Sequence, residues 1–567
     1  MSHDPRLIEK ARRERPALTP RERAVLILAS AIAILVPWGW GGVVLWTVAA
    51  ALGLTTAALL AAVGTLMVQR YALVLWFGAI LVAFTQVPMD ADPFTAHWLD
   101  YFAFPVAAFI GQAVPAFLLS GDNRSRPALN CFRDLMSSIP FWAGIALFAY
   151  IAVQGLNPWG TVIERDLFWR ITKENPISWL PSGLSAPFLS DEDPGGMNAW
   201  RLMMIIAVPW MLFCALRAGL RRRRGYVYLA WIAIGATCVF AVFALLNQNN
   251  TRTTILGFKI PDNCSPFGTF INRNHAGAYF YLNATLAMAL VYWHIRRAGD
   301  VALRGGPHLM AAFLALFLAL FATFTNSVGA MGMIMALALV VAPLAYFMGM
   351  PRESMAYKEL AFVTLGALLT VSFIFLFSAN FKGMEKKFNT KVANYQAAGS
   401  DDRAPLRNAT WEMATAGYEK PKIWTGKIWT GWGAGSYRWV SPYFQAQQKE
   451  MQHPDGRLKV RATYAHFDWL QLLAEIGIIG LIPVGVGLWW LGRWIRRAFY
   501  RGHPEAIPLA CVLILISMHA CVELLFWFTP ITCMIAIIAA TLIAFVDQSS
   551  AENNGQKEGS ESPQEIG

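Results

Sequence analysis

The amino-acid sequence predicts an all-α polytopic membrane protein, with about 12–14 transmembrane helices and one large extracytoplasmic loop. Three observations lead there. The 567 residues are 56% hydrophobic and only 14% charged, against about 25% charged in an average soluble domain. So much apolar surface exceeds what a water-soluble core can hide, and lipid must solvate part of it. Apolar runs of membrane-crossing length recur along the chain, and Lys and Arg gather in every second connection between them. The 23 Trp and 16 Tyr agree, because an apolar ring with a polar tip is satisfied at a membrane–water interface.

In chain order, residues 1–23 are hydrophilic and basic, with seven Lys/Arg against four Asp/Glu, and read as a cytoplasmic N-terminus. No short apolar core with a small-residue cleavage site follows, so the first apolar stretch reads as a retained anchor. A spanning helix needs roughly 20 mainly apolar residues. About fourteen runs qualify, near 22–37, 42–68, 71–88, 102–120, 137–154, 201–219, 226–247, 276–295, 308–325, 328–348, 359–379, 466–491, 506–528 and 530–546. Residues 24–379 thus form a transmembrane bundle with outer loops 155–200 and 248–275, and residues 466–546 the C-terminal transmembrane helices. The tail 547–567, rich in Ser, Glu, Gln, Asn and Gly, reads as a disordered cytoplasmic segment.

Positive charge tests the count. With fourteen helices, Arg70, then Arg124, Arg126 and Arg133, then Arg221 to Arg224 fall on one side, joined by Arg296, Arg297 and Arg304, by Arg352 and Lys358, and by Arg493, Arg496, Arg497 and Arg501. That side is the cytoplasm by the positive-inside rule. No internal repeat suggests the inverted halves of a transporter. The seven cysteines show neither a disulfide framework nor a metal-binding spacing.

The longest outer connection, 380–465, is expected to carry the site. It holds fourteen Lys/Arg against seven Asp/Glu, fourteen minus seven giving about +7. A basic outer segment facing a membrane suits an anionic partner, a lipid head group or a diphosphate. Within it Arg407-Asn408-Ala409-Thr410-Trp411 sets an Arg and a Trp one helical turn apart. Gly431-Trp432-Gly433-Ala434-Gly435 follows, then Ala465-His466-Phe467-Asp468, then Glu475-Ile476-Gly477-Ile478-Ile479-Gly480. Upstream, Phe267-Gly268-Thr269-Phe270-Ile271-Asn272-Arg273-Asn274-His275 ends an outer loop before the eighth run.

This order of motifs resembles the O-antigen ligase and polymerase superfamily, bacterial membrane glycosyltransferases of the GT-C type. The family shows Phe-Gly-x-Phe-x-Asn-x-Asn, then Arg-x-x-x-Trp, then Gly-x-Gly, then His-Asn-x(9)-Gly-x-x-Gly. Here His466 and Phe467 precede nine residues and Gly477-x-x-Gly480, with Phe467 where Asn is usual. His519 to Glu523 is similar to the family's late His-x-x-x-Asp. The resemblance covers roughly residues 200–546. One departure stands out: Ser327-Val328-Gly329-Ala330 occupies the place of the family's Ser-Arg-Gly-Gly.

The resemblance implies a GT-C-like bundle acting on an undecaprenyl-diphosphate-linked glycan at the periplasmic face of the bacterial inner membrane. The acceptor would be a hydroxyl on a glycolipid, glycan or protein. Ligation to a lipid core comes first, with polymerisation of repeat units or transfer to protein as alternatives. Membrane lipid is a partner; nucleic acid, cofactors and a metal are not expected. Arg273 and Arg407 would bind the diphosphate, since a guanidinium is always charged and bonds phosphate in bidentate fashion; the bland reading is an arginine holding lipid phosphate. His466, catalytic beside Arg407, would take the acceptor proton near neutral pH, or else merely cap a helix. His519 and Glu523, at i and i+4 in a membrane run, are secondary candidates with Asn274 and Trp411; buried ionisable groups there are functional by default, or lock the bundle by pairing. Asp90 and Asp92 offer a metal-dependent rival, the glycines of 431–435 read as a tight turn rather than a nucleotide cradle, and Trp424, Trp429, Trp432 and Trp439 are open between sugar stacking and lipid contact. Rivals of other classes are a lipid-linked glycan transporter or flippase and a non-catalytic scaffold.

Overall fold

A computed structural model describes residues 18–39, 45–63, 126–165, 168–188, 197–247, 254–255, 258–259, 266–298, 306–349, 403–416, 427–459 and 461–560. The runs near 71–88, 102–120 and 359–379, with Asp90, Asp92 and Trp424, lie outside them. Among the described residues the chain is mostly helical. Seven helices are long and apolar enough to cross a membrane: Ile139–Leu156, Ala199–Gly219, Arg223–Leu246, Pro307–Phe324, Val328–Met348, Asp468–Arg501 and Thr529–Asp547. Thr47–Val63 and Ile507–His519 are shorter apolar helices. The fold class read from composition is therefore borne out.

The first helix, α1 (Pro20–Leu35), starts where its sequence says it should. Thr19 Oγ1 accepts from the Glu22 amide at 3.2 Å and Glu22 Oε2 accepts from the Thr19 amide at 2.9 Å, a capping box with Pro20 at the first position. Next come α2 (Leu45–Val63), the amphipathic α3 (Arg126–Met136) and α4 (Ile139–Leu156). The bundle continues with α5 (Ala199–Gly219) and α6 (Arg223–Leu246). At its centre is α7 (Arg273–Ala298), packed by α6, α8 (Pro307–Phe324) and α9 (Val328–Ala336), which runs on through a π turn. Although sequence reading makes 276–295 a span, α7 is too polar to qualify on hydropathy, since it carries Tyr279, Tyr281, Asn283 and Thr285. All four are buried inside the bundle and each makes a hydrogen bond there, Asn283 Nδ2 donating to Tyr279 O at 3.0 Å and Thr285 Oγ1 to Tyr281 O at 2.8 Å. A helix walled by protein needs no lipid-compatible face.

The bundle has two chemically distinct ends. Arg296, late in α7, binds Glu505 Oε1 at 2.8 Å and His503 Nδ1 at 2.9 Å. Arg223 Nη2 and Arg501 Nη1 donate to Phe545 O at 3.0 Å and Val546 O at 3.3 Å, and Arg222 pairs with Glu22 at 3.2 Å. Arginines that the charge rule assigned to one side thus do gather at one end. Asn274, at the other end of α7, is 22 residues from Arg296, or about 33 Å along the helix, close to the roughly 30 Å of a hydrocarbon core.

Above that second end sits a small cap with its own core. The 155–200 segment, expected only as a loop, folds into a three-stranded sheet ordered β2-β1-β3, from β1 (Pro158–Arg165), β2 (Phe168–Lys173) and β3 (Gly183–Ser185). β1 and β2 are antiparallel in register Val162↔Ile171, and β3 runs parallel to β1. The sheet packs against α11 (Ala404–Thr415) and α12 (Tyr437–Gln445) of the long outer connection; α10 (Ala342–Gly349) precedes these. Trp432 and Trp439 are 7% and 2% exposed in this cap core. Their indole N–H groups donate to Met413 O at 2.6 Å and Met197 O at 2.8 Å. These two tryptophans are therefore structural, neither sugar platforms nor lipid anchors; Trp429 remains partly exposed at 39%. The chain closes with α13 (Asp468–Arg501), α14 (Ile507–His519) and α15 (Thr529–Ser560). α15 is buried through its membrane part and continues as helix to Ser560, where sequence reading expects disorder from 547.

Candidate functional site

Four chain segments meet at the capped end of the bundle: the start of α7, the start of α11, the turn before α13, and the 520–528 connector joining α14 to α15. Glu523 lies at their junction, 5% exposed. His466 Nδ1 stands 2.7 Å from its Oε1. Asn274 Nδ2 donates to Oε2 at 2.5 Å, and Arg403 reaches Oε2 with both Nη atoms at 3.4 Å while Nη1 also donates to Val522 O at 2.8 Å. Burial alone would raise the Glu523 carboxyl; the His466 hydrogen bond and the Arg403 and His466 charges outweigh it and hold the group well below the usual carboxylate range.

That charge state fixes the histidine. An ionised carboxylate can only accept, so His466 Nδ1 donates to it, and in the neutral form of the ring the lone pair lies on Nε2. The His466 side chain is 32% exposed, which leaves it open to a substrate. Its backbone is unusual. With φ of 50° it occupies the left-handed region, which costs a non-glycine residue on the order of 1 kcal/mol. The flanking Ala465 amide is held by Gln471 Oε1 at 3.0 Å, and the Gln471 amide donates to Phe467 O at 3.0 Å. A strained residue held from its own helix is the mark of a preorganised position.

The predicted site residues fare differently. His466, Glu523 and Asn274 come together directly. Arg273 is the first residue of α7, half-buried, and has no hydrogen-bond or ionic partner among the described residues. Its helix opens with Asn272 Oδ1 accepting the Asn274 amide at 2.9 Å, so the N-terminal dipole adds to the guanidinium charge. Arg407 is half-buried one turn beyond Arg403 in α11, and Trp411 one turn further is 52% exposed. Arg403 itself went unnoticed in the sequence, although its spacing of four from Arg407 was the available signal.

His519 is corrected. It is the last residue of α14, and although the Glu523 amide still donates to its carbonyl at 3.0 Å, the two side chains do not hydrogen-bond to each other. Its Nδ1 instead bonds Tyr281 OH at 3.1 Å, and a Cβ at Gly329 would lie 2.4 Å from its Nε2. The glycine after Val328 is thus demanded by the histidine ring, and Val328 points outward at 45% exposure.

The glycine motifs are architectural. Gly431, Gly433 and Gly435 have φ of 74°, 114° and 74°, and any Cβ there would strike the backbone of Glu475, Gly183 or Asn198 within 2.6 Å. Gly477, at φ 65°, breaks α13, so that Ile478 and Ile479 amides donate to Ile428 O and Trp429 O at 2.8 and 3.0 Å. The tight-turn reading holds: the segment is strapped to a helix break and leaves no room for a nucleotide. Nearby, Lys427 is buried with its amine 5.5 and 5.8 Å from the Trp432 and Trp159 rings, and burial pushes its pKa down to about 8. Among the described residues no three His, Cys, Asp or Glu side chains cluster to hold a metal ion.

A buried carboxylate bonded to an accessible imidazole, with arginines alongside, thus sits at one end of the helical bundle. Residues 311–485, under a third of the chain, match the family described as O-antigen ligase, so this part of the chain is similar to that family, as the motifs imply. The match takes in Arg403, Arg407 and His466 and ends before Glu523. No curated protein matches the chain.

Proposed function

We propose that this chain is a glycosyltransferase that moves a glycan from an undecaprenyl-diphosphate carrier to an acceptor hydroxyl at the periplasmic face of the inner membrane, in the manner of an O-antigen ligase. The observation that carries the reading is the His466–Glu523 bond, which supports His466 Nε2 as the general base. The acceptor hydroxyl gives its proton to Nε2 while its oxygen attacks the anomeric carbon. The bond from that carbon to the diphosphate oxygen breaks, and the diphosphate leaves with the electron pair, a single inverting displacement of the kind the family resemblance implies. Glu523 stabilises the imidazolium that forms, as the buried carboxylate does in hydrolase triads. Arg273, which has no partner among the described residues and opens a helix, and Arg407 offset the charge developing on the diphosphate, so no metal is required of the site.

The side of the membrane follows from charge: the arginine-bound end faces the cytoplasm by the positive-inside rule, which turns the capped end outward. An apolar cavity of about 330 Å³ between α4, α5 and α13, bordered near the site by Trp469, Phe526 and Trp527, suits the first part of a lipid carrier. A transporter would place its charges at mid-membrane, whereas here they gather at one end.

The test is consumption of lipid-linked oligosaccharide by purified protein. His466→Ala should lose about 10²- to 10⁴-fold in rate, the usual contribution of a general base, and Arg407→Ala should also be impaired. Wild-type turnover by both variants would reject the site.

A further inference from the structure

Asp468 is a buried carboxylate that the proton transfer above does not use. It is 0% exposed, two residues after His466, at the first position of α13. Its Oδ2 accepts from two consecutive backbone amides of the connector, Leu525 at 2.7 Å and Phe526 at 2.9 Å. Those amides follow Glu523 by two and three residues. In the other direction, the Asp468 amide donates to Ala520 O at 2.9 Å, and the neighbouring Trp469 indole N–H donates to Ser517 O at 3.1 Å. The strand of backbone bearing His466 is thereby pinned to the strand bearing Glu523 on both sides of Glu523. Burial pushes the Asp468 carboxyl up to about 7, but its Oδ2 accepts from both amides whether or not the group is charged, so one side chain sets the register between base and orienting carboxylate.

We infer that Asp468 is the positioning residue of the site: by clamping the 524–526 backbone it holds Glu523 at hydrogen-bonding distance from His466 Nδ1, and so keeps Nε2 basic and aimed at the acceptor hydroxyl. This rests on the transferase reading only for what the pair does, and not for how the pair is held. No proton moves to or from Asp468. Without the clamp the connector is free to shift, and a displacement of the order of 1 Å in catalytic geometry costs about a hundredfold in rate. The effect falls on kcat, because no substrate contact is removed. Asn in its place keeps an oxygen acceptor for the two amides and should restore the geometry without the charge.

The experiment uses the full chain in lipid nanodiscs and compares wild type with Asp468→Ala, Asp468→Asn and Glu523→Gln. The first readout is the pH dependence of His466 carbethoxylation by diethyl pyrocarbonate, followed by peptide mass spectrometry, which reports the His466–Glu523 pairing without needing turnover. The other charged and titratable groups that sense Glu523 are Arg403 just before α11, His275 of α7 and His519 of α14, retained in every variant, and Asp468 itself, whose carboxyl Asp468→Ala and Asp468→Asn remove alike. The expected result is that Asp468→Ala moves the His466 profile towards that of Glu523→Gln, while Asp468→Asn stays with wild type. The second readout is donor turnover, with kcat down about a hundredfold in Asp468→Ala, KM within about threefold, and most of the rate recovered in Asp468→Asn. A lower melting temperature with an unchanged His466 profile in Asp468→Ala would overturn the inference and leave Asp468 merely structural. If Asp468→Ala does not fold, Asp468→Asn alone decides, since a profile like that of Glu523→Gln would show that the clamp does not act through its acceptor oxygens. Absence of wild-type turnover with the shifted profile intact would sink the transferase reading and leave the positioning role standing.

Discussion

Replacing Glu523 by Gln is the perturbation with the most to say about the site. The substitution keeps shape and removes charge. The carboxylate now accepts from His466 at 2.7 Å, from Asn274 at 2.5 Å and from Arg403 at 3.4 Å. A glutamine has one accepting oxygen for these donors, and its amide nitrogen must face one of them donor to donor. It also permits the wrong imidazole tautomer, because an amide N–H can donate to His466 Nδ1. Two unit charges about 4 Å apart at an effective dielectric of about 20 attract by about 4 kcal/mol. Partial exposure of His466 lowers that, so about 2–4 kcal/mol of transition-state stabilisation is at stake. At 1.36 kcal/mol per decade, kcat should fall about 30-fold to about a thousandfold, with KM little changed. The assay is consumption of lipid-linked oligosaccharide by purified protein, with rates taken at saturating donor. A Gln variant within about threefold of wild type, a loss of under about 1 kcal/mol, would refute the assignment of Glu523 as the partner of the base.

Acid should weaken the fold through the same group. Glu523 has its folded pKa depressed, so its stabilising contribution is whole above the ordinary value of 4.5 and disappears as pH falls from there through the folded value; the melting temperature should drop below pH 4.5 more steeply in wild type than in Glu523→Gln. Lys427 acts in the same sense at higher pH: burial holds its amine at about 8 against 10.5, so stability should rise as pH increases between those values and the rise should vanish in Lys427→Met. Gly477→Ala forces a side chain into φ 65° and to 2.5 Å from the Trp429 backbone, and should cost about 2 kcal/mol or more, read as a lower melting temperature. Excess chelator should leave donor turnover intact, and a loss of rate would move attention to Asp90 and Asp92 as metal ligands.

Much of the molecule could be read from residue order, but for unequal reasons. Membrane insertion is a local property, so composition and twenty-residue windows suffice to find it. The arginine clusters announced one end of the bundle because desolvating them at the other is costly. His466 and Asn274 were visible because chemically special residues sat beside helix starts. Arg403 was hidden because its one local signal, a spacing of four from Arg407, is weak in a loop rich in Lys and Arg. The i, i+4 spacing of His519 and Glu523 does not make them a hydrogen-bonded pair, because the helix ends at His519 and the Glu523 carboxylate turns to His466, Asn274 and Arg403.

The sequence by itself determined that this is a helical membrane protein and which polar residues are out of place in an apolar chain. Tertiary structure alone decided that Glu523 meets His466, Asn274 and Arg403, which lie 57, 249 and 120 residues away along the chain. It also decided that Trp432 and Trp439 fill a cap core and that Gly477 breaks α13 to dock the glycine-rich strap. The physical reason is that hydropathy and helix signals act over a few turns, whereas the partner of a buried charge is chosen by where distant segments are packed together.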